Sequence, residues 1–181
     1  MFADAQPTST AVGSIPVTLS ILSCIDCSRS VRVPTLMLVV ISPPFRWRNE
    51  RVVDRASREV RLYDDVTSIL DHCDDHSIPM ALASRTEQPS WARELIELLS
   101  INHRFAFAEI YPSSKLRHFA ALSESSGLEY SSMVFFDDEM RNINEVSSLG
   151  VTSIHVPDGI TAGLFHNTLR KFENQGNASR H

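Results

Sequence analysis

Apolar residues in this chain come in short runs, and from about residue 60 onward these runs alternate with segments of helical periodicity. Asp64 is placed to cap a helix whose Val66, Ile69, Leu70 and Cys73 recur at i, i+3, i+4 and i+7. Pro79 to Ala83 reads as a short buried strand. A helix is predicted from Pro89, with proline in its first turn and Trp91, Leu95, Leu98 and Leu99 facing inward. Phe105 to Ile110 is the next strand, and a helix from Lys115 follows, with Leu116, Phe119 and Ala120 inward and Gly127 closing it. Met133 to Phe136 is a run of apolar and aromatic residues that predicts a buried strand. Three acids follow without a gap, then a helix with Met140, Ile143 and Val146 on one face. Val151 to Val156 is the last strand, and Ile160, Leu164, Leu169 and Phe172 mark a final helix. Strands alternating with helices in this way imply an α/β fold: a three-layer, Rossmann-like parallel sheet with helices on both faces.

The first third is less regular. Residues 1–15 are rich in Ala, Ser, Thr, Pro and Gly and read as a disordered tail, residues 16–174 as one domain, and residues 175–181 as a second tail. Val17 to Ile25 is a candidate first strand, followed by Asp26. Leu36 to Ile41 competes with it for that place in the sheet, and Pro43-Pro44 ends that run. Phe45 to Arg61 is heavily charged, contains Trp47, and reads as an excursion or short hairpin.

Composition narrows the class. A chain of 181 residues suits one domain with a substantial core. A net charge of -5 argues against bulk nucleic-acid binding, and no apolar run is long enough for a transmembrane helix. Pro16 to Cys24 lacks the basic flank of a targeting signal. Three cysteines make no disulfide framework, so a reducing, cytoplasmic setting is the expectation.

Chemistry gathers at the strand ends. In open α/β sheets ligands bind outside the carboxyl ends of the strands. Ser84 and Arg85 follow one strand, Lys115 opens the helix after another, and Asp137 and Asp138 follow a third. A hydroxyl, two cations and two carboxylates are what a Mg²⁺-assisted phosphoryl site requires: donors for phosphate oxygens, a lysine to offset their charge, and carboxylates for the metal. The structural alternatives are a strand-end cap for Ser84, a solvated charge for Arg85, an ordinary helix-start lysine, and acids that merely cap the Met140 helix.

The same residues carry a resemblance. Arg61-Leu62-Tyr63, Ala81-Leu82-Ala83-Ser84-Arg85-Thr86, Ile110-Tyr111-Pro112-Ser113-Ser114-Lys115, and Phe135-Phe136-Asp137-Asp138-Glu139 with Arg141-Asn142 resemble the magnesium-dependent phosphatase family of the haloacid dehalogenase-like superfamily. Leu149 to Thr152 and Asp158-Gly159 extend the likeness, which covers about Pro43 to Phe172. It implies a core with a minimal cap insertion and an aspartyl-phosphate mechanism with Mg²⁺. The substrate implied is a small phosphorylated molecule, such as a sugar phosphate, or phosphotyrosine. By the same resemblance Ser84 and Arg85 contact phosphate and substrate, Lys115 is the catalytic lysine, and Asp138, with Asp137 beside it, holds the metal.

The chain departs from the family at its start, where the family has Asp-x-Asp-x-Thr. Unbroken spacing lays Asp26-Cys27-Ser28-Arg29-Ser30 over that motif, keeping Asp26 as nucleophile and metal ligand but placing Ser28 at the acid position. A serine hydroxyl is no acid near neutral pH, so impaired activity is expected. Another register, through Thr35-Leu36, leaves no nucleophile. Two other classes stay open: a non-catalytic pseudophosphatase binding phosphate or a protein partner, and an unrelated nucleotide- or sugar-phosphate-binding module. Smaller constellations carry less. Cys24-x-x-Cys27 lacks the further ligands of a zinc site, His72 and His76 read as a solvated helix end, and Asn177-Ala178-Ser179 is a glycosylation sequon without meaning in a cytosol.

Overall fold

The computed structural model describes residues 17–19, 25–26 and 43–178. Five parallel strands make the main sheet: β1 (Val17–Leu19), β6 (Met80–Ser84), β7 (Phe107–Ile110), β8 (Val134–Asp137) and β9 (Thr152–His155), in the order β7-β6-β1-β8-β9. A hairpin of β3 (Arg46–Arg48) and β4 (Arg51–Val53) and a two-stranded antiparallel pair of β2 (Ile25–Asp26) with β5 (Arg61–Leu62) complete the strands of the described residues. The helices are α1 (Val66–Asp75), α2 (Pro89–Leu98), α3 (Lys115–Ser126), α4 (Met140–Ser147) and α5 (Ala162–Ala178).

Strand alternation sorts the core into two layers. Leu82, Val134 and Phe136 face a cluster that includes Val66, Leu70 and Cys73 of α1, Leu95 and Ile96 of α2, and Phe165 and Leu169 of α5. Ala83 and Phe135 face the other way, onto Phe119 of α3 and Ile143 and Val146 of α4. Edge-to-face packing of Phe119 on Phe135, with centroids 5.0 Å apart, closes that second layer. The expected parallel sheet with helices on both faces is therefore the observed one.

Several local expectations are corrected. The sequence run Val17 to Ile25 is not one strand of the main sheet. Val17–Leu19 is the central strand, in register with Val134–Phe136 and with Met80–Leu82, whereas Ile25–Asp26 belongs to a separate pair with Asp26 opposite Arg61. Ser20 and Ser23 interrupt the apolar run in between. The competing run Leu36 to Ile41 lies outside the described residues, as do residues 1–15, Cys24, Cys27, Ser28 and Thr35. Asp64 does not cap α1. Its carboxylate pairs with Arg61 at 2.6 Å, and Asp65 stands at the cap position while its Oδ2 accepts from the amide of Ala162 at 2.9 Å. Helix α5 continues through Ala178, past the expected boundary at residue 174.

Helix phases also differ. Val66, Ile69, Leu70 and Cys73 are buried as predicted, and burial pushes the Cys73 thiol up to about 12, leaving it an inert core group. Trp91, Leu116, Ala120, Met140 and Leu164, all expected inward, are exposed, while His118, Asn142 and Phe165 take buried places. In α3 the buried face is Lys115, His118, Phe119 and Leu122, a proper i, i+3, i+4, i+7 stripe that begins on a charged residue and so escapes a hydrophobicity reading. Gly127 ends that helix at φ +71 with nothing near its missing Cβ, so the left-handed cap alone demands glycine.

Two histidines make the fold sensitive to acid. His118 is fully buried, and its Nε2 lies 3.0 Å from the carbonyl of Tyr111, which fixes the proton there and leaves Nδ1 bare and unpartnered. Burial pulls its pKa down, with Lys115 nearby adding to the effect. His72 stacks on His76 at 4.0 Å and meets His166 at 4.6 Å between α1 and α5, and burial first, then these two neighbours, lowers its pKa as well. Below the ordinary histidine value of about 6.5 the unfolded chain binds these protons before the folded chain does, so stability falls with pH through that window. Thermal unfolding should therefore show a lower midpoint at about pH 5.5 than at about pH 7.5, and His118→Gln should flatten the slope. Equal slopes in the parent and the variant would remove His118 from the account.

Candidate functional site

Ser84 is the last residue of β6 and Asp137 the last of β8, so both side chains stand at the carboxyl edge of the sheet. Lys115 begins α3 directly after the β7 turn, and the Ser114 hydroxyl caps that helix by accepting from the amide of Arg117. The lysine side chain is turned inward across the sheet edge. Its Nζ donates to the carbonyl of Ala83 at 2.6 Å and lies 3.1 Å from Asp137 Oδ2, with the Phe135 ring 5.2 Å away. Both partners of this ion pair are essentially sealed from solvent, at 2% and 0% side-chain exposure.

Asp137 Oδ1 accepts from the amide of Glu139 at 2.8 Å and from Asn142 Nδ2 at 2.9 Å, which fixes the start of α4. Asn142 Oδ1 in turn accepts from Arg85 Nη1 at 2.9 Å. Glu145 closes the circuit. One carboxylate oxygen accepts from the Lys115 amide at 3.3 Å and the other lies 3.8 Å from Arg85 Nη1. Asn142 and Glu145 were not assigned roles from sequence. Their signal was spacing: with Asp137 already placed, a helix starting at residue 140 turns positions 142 and 145 toward the same strand ends.

Two acceptor oxygens are left over. Asp137 Oδ2 has the ion pair but no aligned hydrogen bond, and Asp138 Oδ1 is buried without a hydrogen-bond partner. Burial first, and Asp137 next, raise the Asp138 carboxyl above its usual range. A cation placed against these oxygens relieves both effects. No group of three or more His, Cys, Asp or Glu side chains that could hold a metal occurs among the described residues. The adjacent pair Asp137 and Asp138 matches the one or two carboxylates Mg²⁺ takes from a protein, the rest of its octahedron being water and phosphate oxygens. The donor set fits that ion.

Burial alone would drive the Lys115 ammonium toward neutrality, and Asp137 and Glu139 oppose that. The arrangement holds a cation and a carboxylate ready at the mouth of the sheet. Beside them are the Ser84 hydroxyl, which makes no hydrogen bond among the described residues, and the half-buried Arg85. Ser84, Arg85, Lys115, Asp137 and Asp138 therefore share one edge of the sheet. Asp26 is not on the central strand, and its backbone pairs with Arg61 instead.

The Lys115–Asp137 pair also carries stability. Removing one partner of a buried ion pair strands the other charge, at a cost of roughly 3–5 kcal/mol. Chemical denaturation of Lys115→Met should show a loss of that size, and Lys115→Met combined with Asp137→Asn a smaller one. A double variant that is worse by the full sum of the two single losses would show that the residues act independently.

Residues 33–175 match the family described as acid phosphatase. Over 133 residues the chain is 41% identical to the human protein named magnesium-dependent phosphatase 1, covering 73% of this chain and 76% of that one. A HAD-like hydrolase superfamily protein of Schizosaccharomyces pombe is 34% identical over 56% of this chain and 63% of its own. A HAD-superfamily hydrolase from Ehrlichia chaffeensis superposes with a TM-score of 0.52 at 19% identity, over 67% of this chain and 60% of that chain. The N-terminal part of a Bacteroides fragilis protein, containing a phosphatase domain complexed with Mg, does so at 0.51 and 15% identity, over 80% and 36%. These two structures speak for the fold.

Proposed function

We propose that this chain, which belongs to the acid phosphatase family, is a Mg²⁺-dependent phosphatase hydrolysing phosphomonoesters at the crevice between β6, β8 and the start of α3. The observation that carries the reading is the buried Lys115–Asp137 pair beside the unpartnered oxygen of Asp138. Ser84 and the amides around it would receive phosphate oxygens, Arg85 would orient the substrate, and Lys115 would offset the charge. Asp138, together with Asp137 and Asp26, would hold the ion, which when bound would neutralise phosphoryl charge.

In the proposed reaction a carboxylate oxygen of Asp26 attacks phosphorus, the bond to the ester oxygen breaks, and the departing oxygen takes a proton. Water then attacks the phosphoaspartate, releasing inorganic phosphate and restoring Asp26. Ser28 stands in the sequence where a proton donor is expected, so we propose slow turnover on esters whose leaving oxygen needs protonation. The substrate class we favour is an open one, phosphotyrosine or sugar phosphates, in a cytoplasmic setting. No helix among the described residues is long and apolar enough to cross a membrane. Family membership weighs against the non-catalytic alternative.

Calorimetric titration with Mg²⁺ tests the metal assignment. Asp138→Ala should lose most of the affinity, whereas Asp137→Asn should lose stability first and less affinity, because its Oδ1 is committed to Glu139 and Asn142. Equal affinity in Asp138→Ala and the parent would remove Asp138 as a ligand. Kinetics test the proton donor. A placed acid contributes about 10² to 10⁴ in rate, so Ser28→Asp should raise turnover of an alkyl phosphate far more than that of p-nitrophenyl phosphate. No change in Ser28→Asp and none in Asp26→Asn would show that neither residue is in the reaction.

A further inference from the structure

Positive charge in this acidic chain is concentrated on one small ribbon. Residues 46–61 hold six of the 17 Lys and Arg residues against three acids, so this segment is +3 while the rest of the chain is -8. The acids are largely spent inside the segment. Asp54 is fully buried, accepts from the amides of Ala56 and Arg58 at 2.9 Å each, and pairs with the Arg58 guanidinium at 2.6 Å. Glu59 pairs with Arg51 at 3.3 Å. Arg46, Arg48 and Arg55 have no ion pair among the described residues.

The register of the hairpin sets how these side chains are displayed. Arg46 pairs with Val53, Trp47 with Val52, and Arg48 with Arg51. Alternation puts Arg46, Arg48 and Arg51 on one face of the ribbon and Trp47, 57% exposed, on the other. Two guanidiniums directly opposite each other, with a third two residues away, repel, and a hairpin gains nothing by that arrangement alone. Arg48, Asn49, Arg51, Val53 and Ser57 line an open polar depression of about 350 Å³. Among the described residues β3 pairs only with β4, so its outer edge presents backbone donors and acceptors to an incoming strand.

The ribbon also lies on the site's side of the sheet. It leads through β5 into the N-terminus of α1, and α1 must run opposite to β6, so it starts at the sheet's carboxyl edge. Two contacts confirm this. The Tyr63 ring packs on Gly159, just past β9, so closely that a Cβ there would lie 2.6 Å from it, and Asp65 accepts from the Ala162 amide at 2.9 Å.

From this we infer that the β3–β4 hairpin is a docking surface for an extended, acidic polypeptide segment, which adds to the β3 edge and sets its carboxylates against Arg46 and Arg48. Charge favours a peptide over nucleic acid. The basic strip is one three-residue strand long, roughly 10 Å at 3.3 Å per residue, and the remainder of the chain would repel a longer polyanion. That the segment belongs to a phosphorylated protein substrate rests on the phosphatase reading, but the docking surface itself does not.

Fluorescence anisotropy of a labelled, unphosphorylated Glu- and Asp-rich peptide with the full chain tests the inference. A Lys-rich peptide and a single-stranded oligonucleotide of similar length are run alongside. Arg46→Ala/Arg48→Ala should weaken acidic-peptide binding about tenfold or more, and Arg46→Lys/Arg48→Lys should restore most of it. In Trp91→Phe, Trp47 is the one remaining tryptophan and its emission should shift on peptide addition. Undetectable binding at about 1 mM, equal affinity in parent and alanine variant, or tighter binding of the oligonucleotide would each overturn the proposal. Turnover of p-nitrophenyl phosphate by the parent, measured in the same preparation, reports on the phosphatase reading separately: peptide binding without turnover sinks that reading and leaves this one standing.

Discussion

A lysine with 1% of its surface exposed, at the first position of a helix, is the constraint around which this site is built. Taking an ammonium and a carboxylate out of water costs several kcal/mol per ion even after relaxation, and their attraction offsets this only when geometry and further hydrogen bonds are good. Here Lys115 has the Ala83 carbonyl, and Asp137 has the Glu139 amide and the Asn142 side chain. Those partners come from β6, α3, β8 and α4. Satisfying one ion pair therefore fixes the relative positions of two strand ends and two helix starts, and Arg85 and Glu145 extend the same circuit to its rim.

The arrangement divides labour between neighbouring acids. Asp137 is committed on one oxygen to the backbone and Asn142, so it is part of the scaffold as well as of the site. Asp138 is the less encumbered of the two. Its carbonyl lies 3.0 Å from His155 Nε2, which steadies the turn, while its carboxylate keeps a buried oxygen without a hydrogen-bond partner. A group in that state is poised for a ligand more than for packing. The Phe135 to Glu139 stretch is therefore a site more than a helix cap: Asp137 accepts from the Glu139 amide just ahead of the helix, and Glu139 at the cap position makes no side-chain cap bond.

Much of this was legible in the sequence. Periodicity placed each strand of the sheet from residue 80 onward to within a few residues, and the strand-end rule gathered Ser84, Lys115, Asp137 and Asp138 at one edge. What periodicity missed has a common cause: at a buried polar site, charged and amide side chains occupy inward positions. Lys115, His118 and Asn142 took core-facing places, which turned Leu116, Ala120 and Met140 outward, against a hydrophobicity reading. Phe165 was missed for a plainer reason, since two adjacent apolar residues, Leu164 and Phe165, cannot both face the core. At the other end, Val17 and Ile25 share one apolar run in the sequence but pair with different partners, because long-range strand pairing is not encoded in local alternation. The ribbon of arginines was visible as composition, but only register showed that three of them share a face.

The most direct measurement of the central claim is a crystal structure of the chain grown with Mg²⁺ and tungstate, a phosphate mimic. The account predicts the metal on the Asp138 carboxylate and the oxyanion between the Ser84 hydroxyl and Lys115 Nζ, with the Lys115–Asp137 pair intact. An oxyanion bound elsewhere, or a metal with no contact to Asp138, would contradict it.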